Sequence, residues 1–357
     1  MTEREAHIAF NLADRIGSVA LAKMVAACGS AAAAWNALPA EMKVSRSGGE
    51  IDVARELALA KRYGVDIITA VDPEYPARLK DCKSYPLCLY VKGSLEALKG
   101  RTVAIVGTRK PSQYGLDHAF LIAKGLAERG VCVISGLAVG IDAASHKGAL
   151  EGGGATIGVL GSALDEFYPD ANRGLAREMI KSHGAVISQF PFGRSCDATT
   201  FPIRNEIVAA LSEAVVAIEA PVKSGTLITC RDALDLGRQV MALPGRVDSR
   251  ASEGCLDLIH DGALMIRNAD DICRDLGVKN LPPPDELAPA PECAAPRYSI
   301  EESIIMREVP LDGISMERLA EKTGLAPAKV SALCMGLRLK DALRFLPGNR
   351  VAFPRSK

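Results

Sequence analysis

The sequence has no surplus of charge, few aromatic residues and no catalytic signature. Its 43 Lys and Arg balance 43 Asp and Glu, so no bulk basic field advertises a polyanionic partner. That balance counts against a protein that coats DNA non-specifically and leaves room for one that binds through a local, concave site. No G-x-x-x-x-G-K-[ST] run is present, which argues against nucleotide hydrolysis of the P-loop type. No G-x-G-x-x-G follows the first strand of the central region, which weakens a nicotinamide or flavin reading. A G-x-S-x-G elbow, zinc-ligand spacing and a catalytic carboxylate pair are also missing. The five histidines are dispersed, and His146 reads as a packed or helix-surface residue rather than a base. No cofactor and no metal is expected.

The ten cysteines are scattered singly, without a C-x-x-C pair, the usage of reduced, mostly buried thiols in the cytosol. The N-terminal residues Met1 to His7 lack a signal-peptide pattern. The Ala-rich stretch Met24 to Ala40 is interrupted by Gly29 and Pro39, and it is weaker than the roughly 20 apolar residues a spanning helix needs. A cytoplasmic location without membrane insertion is therefore expected.

At 357 residues the chain exceeds one ordinary core and should divide into domains. Residues 1–70 read as a small helical module of the helix-hairpin-helix or SAM-like kind. Ile8, Leu12, Ile16, Val19 and Met24 recur at roughly helical spacing, broken by a turn at Arg15-Ile16-Gly17-Ser18. Such a turn sets amides against phosphates or simply packs two helices, and both readings stay open. Residues 71–99 are expected as an extended connection. From residue 100 to 278 short apolar strands alternate with amphipathic helices. The strands are Val103–Val106, Val131–Ser135, Ala155–Leu160, Ala185–Ser188, Ala214–Ile218, Gln239–Leu243 and Ala263–Ile266, with helices such as Leu116–Arg129 and Thr226–Gly237 between them. That alternation predicts an α/β, Rossmann-like, mostly parallel sheet with helices on both faces. A Pro/Ala-rich linker over 279–297 then leads to residues 298–357, which read as a winged helix ending in a Pro347-Gly348-Asn349 hairpin. Duplex recognition and protein docking are both open to that unit.

In an open parallel sheet, ligands bind outside the carboxyl ends of the strands. The runs found there are Gly107-Thr108-Arg109-Lys110-Pro111-Ser112, Ser135-Gly136-Leu137-Ala138-Val139-Gly140-Ile141-Asp142, Gly161-Ser162 and Glu219-Ala220-Pro221-Val222-Lys223-Ser224-Gly225-Thr226. Two of them are small-residue turns that open directly into helices, which aims free amides and the positive end of a helix dipole at one spot. Arg109 and Lys223 add charge, and Ser135, Ser224 and Thr226 add hydroxyls. Asp142, in the first turn of its helix, is expected to serve the dipole or cap an amide. Arg204 and Asn205 are expected to open another helix, where they cap it or contact a phosphate and a base edge. Phe192, Phe201 and Tyr168 either stack a base or pack in the core. The domain reads as a phosphate binder without machinery for breaking bonds.

At these loops the sequence resembles the DprA/Smf family, the DNA-processing proteins of natural transformation. The matching stretches are Val103–Pro111, Ser135–Leu150, Val159–Pro169, Phe201–Asn205, Glu219–Thr229, Ala242–Gly245 and Ser252–Ala263. The resemblance implies a homodimer that binds single-stranded DNA in a pocket of the Rossmann-like domain. It further implies protection of incoming DNA from nucleases and loading of RecA onto it in the presence of single-strand-binding protein. By motif match the DNA contacts are Arg109, Lys110, Ser135, Gly136, Gly140, Arg204, Asn205, Lys223, Ser224, Gly225 and Thr226. The dimer interface would use Leu256, Leu258, Ile259, Leu264 and Ile266. The family usually carries Arg where this chain has Val139, Ile203 and Glu206. Residues 100–277 hold 18 Lys and Arg against 21 Asp and Glu, which predicts a weaker, more salt-sensitive binder. Each lost phosphate contact lowers the salt slope by roughly 0.7.

Two readings compete with this one. A nucleotide phosphoribohydrolase of the cytokinin-activating kind carries P-G-G-x-G-T-x-x-E, which falls on Pro221 to Thr229. Val222, Lys223 and Thr229 then replace its two glycines and its catalytic Glu. The other is a regulator whose sheet senses a nucleotide and whose winged helix binds promoters.

Overall fold

In the computed structural model the described residues are 1–13, 16–45, 48–278, 299–310, 313–340 and 342–353. The expected linker over 279–297 lies outside them, as do Asp14 and Arg15 at the expected N-terminal turn. The chain divides into two compact units: Met1–Pro111 with His118–Lys279, and Ser112–Asp117 with Asn280–Lys357.

The first unit begins with four helices: α1 (Glu3–Leu12), α2 (Ser18–Cys28), α3 (Ala31–Ala37) and α4 (Val53–Tyr63). A capping box starts α1, where the Thr2 hydroxyl accepts from the Glu5 amide and Glu5 accepts from the Thr2 amide. Phe10 meets Trp35 edge-on at 5.0 Å. These helices share their apolar core with Ile67, Cys88 and Tyr90 from two strands, β1 (Asp66–Thr69) and β2 (Cys88–Gly93). The extended connection expected over 71–99 therefore contains a sheet strand. β2 pairs antiparallel with β6, Tyr90 opposite Ser188, and β1 lies antiparallel outside β2.

The remaining strands and helices alternate: β3 (Thr102–Gly107), α5 (Gln113–Glu128), β4 (Cys132–Ser135), α6 (Ile141–Glu151), β5 (Thr156–Val159), α7 (Arg173–Lys181), β6 (Ala185–Ser188), α8 (Thr200–Ala210), β7 (Ala214–Ile218), α9 (Gly225–Asp235), β8 (Gln239–Ala242), α10 (Glu253–His260), β9 (Leu264–Met265) and α11 (Ala269–Asp275). The nine-stranded sheet has the order β1-β2-β6-β5-β4-β3-β7-β8-β9, and from β6 to β9 every pairing is parallel. Strands covered on both faces read as unbroken apolar runs, and β4 through β7 are buried throughout. Helix α5 buries Ala119, Ile122, Ala123 and Leu126, the i, i+3, i+4, i+7 stripe of an amphipathic helix. Successive crossovers run outward from β3 in one direction and from β7 in the other, so the strand order reverses between them. That reversal opens a crevice at the carboxyl ends of β3 and β7.

The second unit contains α12 (Ile300–Glu308), β10 (Ile314–Ser315), α13 (Met316–Thr323), α14 (Pro327–Leu339), β11 (Arg344–Leu346) and β12 (Arg350–Ala352). The three strands form an antiparallel sheet in the order β10-β12-β11. Ser299 and Glu302 make a capping box for α12, Ser315 caps α13, and Gly324 ends α13 in the left-handed conformation. Ile305, Leu319, Val330, Leu337 and Val351 close its core. Among the described residues no single helix is long and apolar enough to cross a membrane.

Candidate nucleic-acid interface

The crevice at the strand reversal is a cleft of about 530 Å³. Four strand-end loops and helix α8 line it. The loop after β3 contributes Thr108, Arg109 and Lys110, and the loop after β4 contributes Gly136, Ala138 and Asp142. From α8 come Phe201, Arg204 and Asn205, and from the loop after β7 and the start of α9 come Pro221, Ser224, Gly225, Thr226 and Thr229. The loop after β8 adds Arg250 and Ala251. Of the residues expected to touch DNA, the structure thus gathers Arg109, Lys110, Gly136, Arg204, Asn205, Ser224, Gly225 and Thr226. Ser135, Gly140 and Lys223 do not line the cleft.

Ser135 is fully buried, and its hydroxyl donates to the Ile105 carbonyl at 2.6 Å. It locks β4 to β3 instead of facing a ligand. Gly140 acts through its backbone. Its φ is +89°, and a Cβ there would stand 3.0 Å from Arg109 Cα, so only glycine lets the loops after β3 and β4 meet. The Ile141 amide then donates to the Thr108 carbonyl at 3.3 Å, and the Thr108 amide donates to the Glu219 carbonyl at 2.8 Å. These bonds lace three loops into one rim. Lys223 is exposed beside the cleft with a φ of +64°. Leu137 and Glu219 are also non-glycine residues at positive φ, 54° and 50°. Backbone strain of this kind concentrates where a loop must hold one shape for a ligand.

Arg204 departs most from expectation. Helix α8 starts at Thr200, with Asp197 accepting from the Thr199 and Thr200 amides and Pro202 in the first turn, where no amide partner is needed. Arg204 and Asn205 therefore sit in the second turn, past the helix opening where they were placed from sequence. The Arg204 side chain is buried. Its Nη1 donates to the Val159 carbonyl at 2.8 Å and also to the Gly136 carbonyl, while Nε donates to Asn205 Oδ1 at 3.1 Å. Asp142 is buried beside it and accepts from the Ala138 amide at 3.3 Å. Burial disfavours both charges, raising the Asp142 carboxyl and lowering the Arg204 guanidinium, and each partner's charge pulls the other back. A Cβ at Gly136 would stand 2.8 Å from Asp142 Oδ2 and closer still to the guanidinium. Glycine at that position is what lets the pair fit beneath the loop.

The remaining cleft lining includes the start of α9. Ser224 takes the extended conformation of a helix N-cap, yet its hydroxyl makes no cap bond to α9. Its Oγ is buried and has no hydrogen-bond partner among the described residues. Thr2, Asp52 and Asn268, by contrast, cap α1, α4 and α11 with their side chains. The N-terminus of α6, at Gly140, also has no side-chain cap. The cleft therefore holds an uncapped helix end and an unused donor, the set that an anionic oxygen completes.

Beside it, the Arg109 guanidinium lies 4.8 Å from the Phe201 ring centroid, and the ring of Tyr168, half exposed, lies 6.4 Å from that of Phe201. A small cavity lined by Val139, Gly161, Tyr168 and Pro169 continues the cleft past this platform. Phe192 belongs elsewhere, packed on Tyr63 at 5.4 Å and Tyr90 at 5.3 Å. Val139 and Ile203 are each 39% exposed. Glu206 is outside the cleft lining and turns to the Cys82 thiol. His146 is fully buried, with Nδ1 2.7 Å from the Thr156 hydroxyl, and burial pulls it down to about 3. Arg250 was not anticipated. The rule that strand-end loops bear ligands applies equally to the loop after β8, and that was the available signal.

At the expected dimer edge, Ile266 is fully buried, while Leu256, Leu258, Ile259 and Leu264 are partly buried. Met265 on β9 is half exposed.

Residues 66–277 match the sequence model of the DNA recombination-mediator protein A family. Protein Smf of Escherichia coli K12 is 35% identical over 296 residues, covering 81% of this chain and 78% of that protein. DNA processing protein DprA of Streptococcus pneumoniae R6 is 40% identical over 202 residues, covering 57% of this chain and 71% of that protein. The X-ray structure of DprA from Streptococcus pneumoniae superposes with a TM-score of 0.57 at 36% identity, over 62% of this chain and 77% of that one. A structure of DNA processing protein A from Helicobacter pylori, described for its single-stranded DNA binding mode, gives 0.54 at 30% identity, over 59% and 95%.

Proposed function

The chain belongs to the DNA recombination-mediator protein A family, and from that premise we propose that it holds single-stranded DNA in the cleft at the carboxyl ends of β3, β4, β7 and β8. The observation that carries the reading is the buried, unpartnered Ser224 hydroxyl at the uncapped start of α9. A phosphate oxygen there would accept from the hydroxyl and from the first amides of the helix. The Arg109, Phe201 and Tyr168 platform supports a single strand over a duplex, because only an unpaired base is free to stack on it. Lys110 and Lys223 stand at the rim as further cations.

In this reading the protein is cytoplasmic, acts in natural transformation and recombination, protects incoming strands and loads RecA onto them where single-strand-binding protein is present. It works as a homodimer joined near β9, the C-terminal unit is a winged helix, and the cleft binds without catalysis. Binding of single- and double-stranded oligonucleotides across a salt series tests the core of it, with Arg109→Ala and Lys223→Ala beside the wild type. A preference for single strands that falls in both variants is expected; equal affinity for duplex, or no loss in either variant, overturns it. A RecA nucleation assay on strands coated by single-strand-binding protein tests the loading role.

A further inference from the structure

Arg250 is exposed, lines the cleft and has no ion-pair or hydrogen-bond partner among the described residues. The other arginines near it already have partners within the chain. Arg246, on the same loop, is held by Asp248 at 2.9 and 2.8 Å. Arg204 is held by backbone carbonyls, and Arg109 lies over Phe201. An uncommitted guanidinium facing a cleft that contains an uncapped helix end marks a place where a second anionic group would be bound.

The sheet order gives that place a direction. Arg109 follows β3, Ser224 follows β7 and Arg250 follows β8, and these strands are consecutive neighbours. Adjacent strands lie about 4.8 Å apart, so the loop of Arg250 starts about 10 Å from that of Arg109. The opposite end of the cleft, over β4 and β5, adds Val139, Tyr168 and Pro169 to Arg109 and Phe201 and brings no cation beyond Arg109 and the buried Arg204. A route along α8 and α9 would instead pass the carboxylates Glu206 and Asp232, which lie within electrostatic reach of each other.

We propose that Arg250 is a phosphate-binding residue of the single-strand site, and that the strand crosses the carboxyl edge of the sheet from the aromatic platform over β5 and β4 to Arg250 over β8. This rests on the reading of the cleft as a single-strand site and adds to it a contact and a path. Cations absent at positions 139 and 203 are thereby offset from the other end of the cleft.

The test is the salt dependence of oligothymidylate binding for the full chain and for Arg250→Ala, Arg250→Lys, Arg246→Ala and Arg109→Ala. Loss of one single-strand phosphate contact makes the log–log slope shallower by about 0.7, so the affinity ratio of wild type to Arg250→Ala should shrink about eightfold between roughly 50 mM and 1 M salt. Arg250→Lys should recover most of the slope, and Arg246→Ala, removing an equal charge from the same loop, should keep it. If Arg250→Ala behaves like Arg246→Ala while Arg109→Ala loses affinity, the inference falls and the single-strand site stands. If the wild type itself does not prefer single strands, both fall. The exposed position lets melting curves verify that Arg250→Ala folds as the wild type does.

Discussion

Replacing Arg204 separates two roles that the sequence alone assigns equally well. A cation in the cleft reads as a phosphate contact, but the structure buries Arg204 under Gly136 with Asp142 beside it. Removing the guanidinium leaves the Asp142 carboxylate buried without its counter-charge, and the Val159 carbonyl loses its donor. Breaking a buried pair from one side costs about 3–5 kcal/mol, a large part of the roughly 5–15 kcal/mol that holds a domain together. For a domain of this size each kcal/mol shifts the melting midpoint by roughly 2–4 °C, so Arg204→Ala should melt roughly 6–20 °C lower. Arg204→Met combined with Asp142→Asn removes both charges, keeps an acceptor for the Ala138 amide and should regain most of that loss. Urea or thermal unfolding measures the first quantity, and salt titration of oligonucleotide binding measures the second. Affinity at one salt concentration falls on either view, because loosening the Gly136 loop also disturbs the cleft. The slope decides: it should match the wild type. A variant that melts like the wild type and loses about 0.7 of slope would refute the structural role and return Arg204 to the DNA contacts.

Burial, with Glu206 and Asp235 nearby, pushes the Asp232 carboxyl up to about 6. A carboxyl raised in the folded state destabilises the fold above that pH, and the penalty fades as pH falls from 6 through its ordinary value. Asp232→Asn should therefore be more stable than wild type by roughly 1 kcal/mol at pH 8 after solvent screening, with the difference gone near pH 4; urea midpoints that show no pH-dependent gap would contradict this. Glu56 Oε1 accepts from the buried Tyr90 hydroxyl at 2.7 Å and from the Phe192 amide at 3.1 Å. Glu56→Ala removes the acceptor of that hydroxyl's proton and should cost about 1–3 kcal/mol, whereas Glu56→Gln keeps an acceptor and should cost clearly less by the same unfolding assay. Taking Arg109, Lys110, Lys223 and Arg250 as the cations available to a strand, the salt slope of binding should be no steeper than about 3. A much steeper slope in titrations of the full chain would mean that a second surface contributes.

The parallel core was legible because burial on both faces removes polar residues from whole strands. Val103 to Val106 and Ala214 to Ile218 announce β3 and β7 for that reason. β2 was harder to place. Its residues look extended, but its partner β6 lies far along the chain, with Tyr90 opposite Ser188, and no local pattern encodes that pairing. The cleft followed from position, since loops at the carboxyl ends of adjacent strands must converge. What sequence could not separate was which polar groups face outward. Ser135 and Ser224 are equivalent as letters, yet one donates to Ile105 and the other has no partner. Both lie at carboxyl ends of strands; the difference is that Ser135 is still the last residue of β4, paired to its neighbour, whereas Ser224 stands beyond β7 at the start of α9.

A protein with balanced charge can grip a polyanion if its few cations are distributed unevenly, and under the proposed reading the cleft would do so as follows. Arg204 and Asp142 cancel each other underneath the floor, so the floor is rigid and nearly neutral. The start of α9, without a side-chain cap, then supplies partial positive charge that is fixed in place and needs no side-chain ordering. Arg109 is pre-positioned over Phe201, so a stacked base and a neighbouring phosphate would meet groups already near their bound geometry. Preorganisation of this kind lowers the ordering cost of binding and lets a small number of full charges suffice. The apolar Val139, exposed in the small cavity beside the cleft, would shift the balance further from phosphate attraction toward contact with bases and sugars. Such a site should discriminate between unpaired and paired strands more sharply than one that relies on a broad basic surface, because a duplex presents phosphates but withholds its bases.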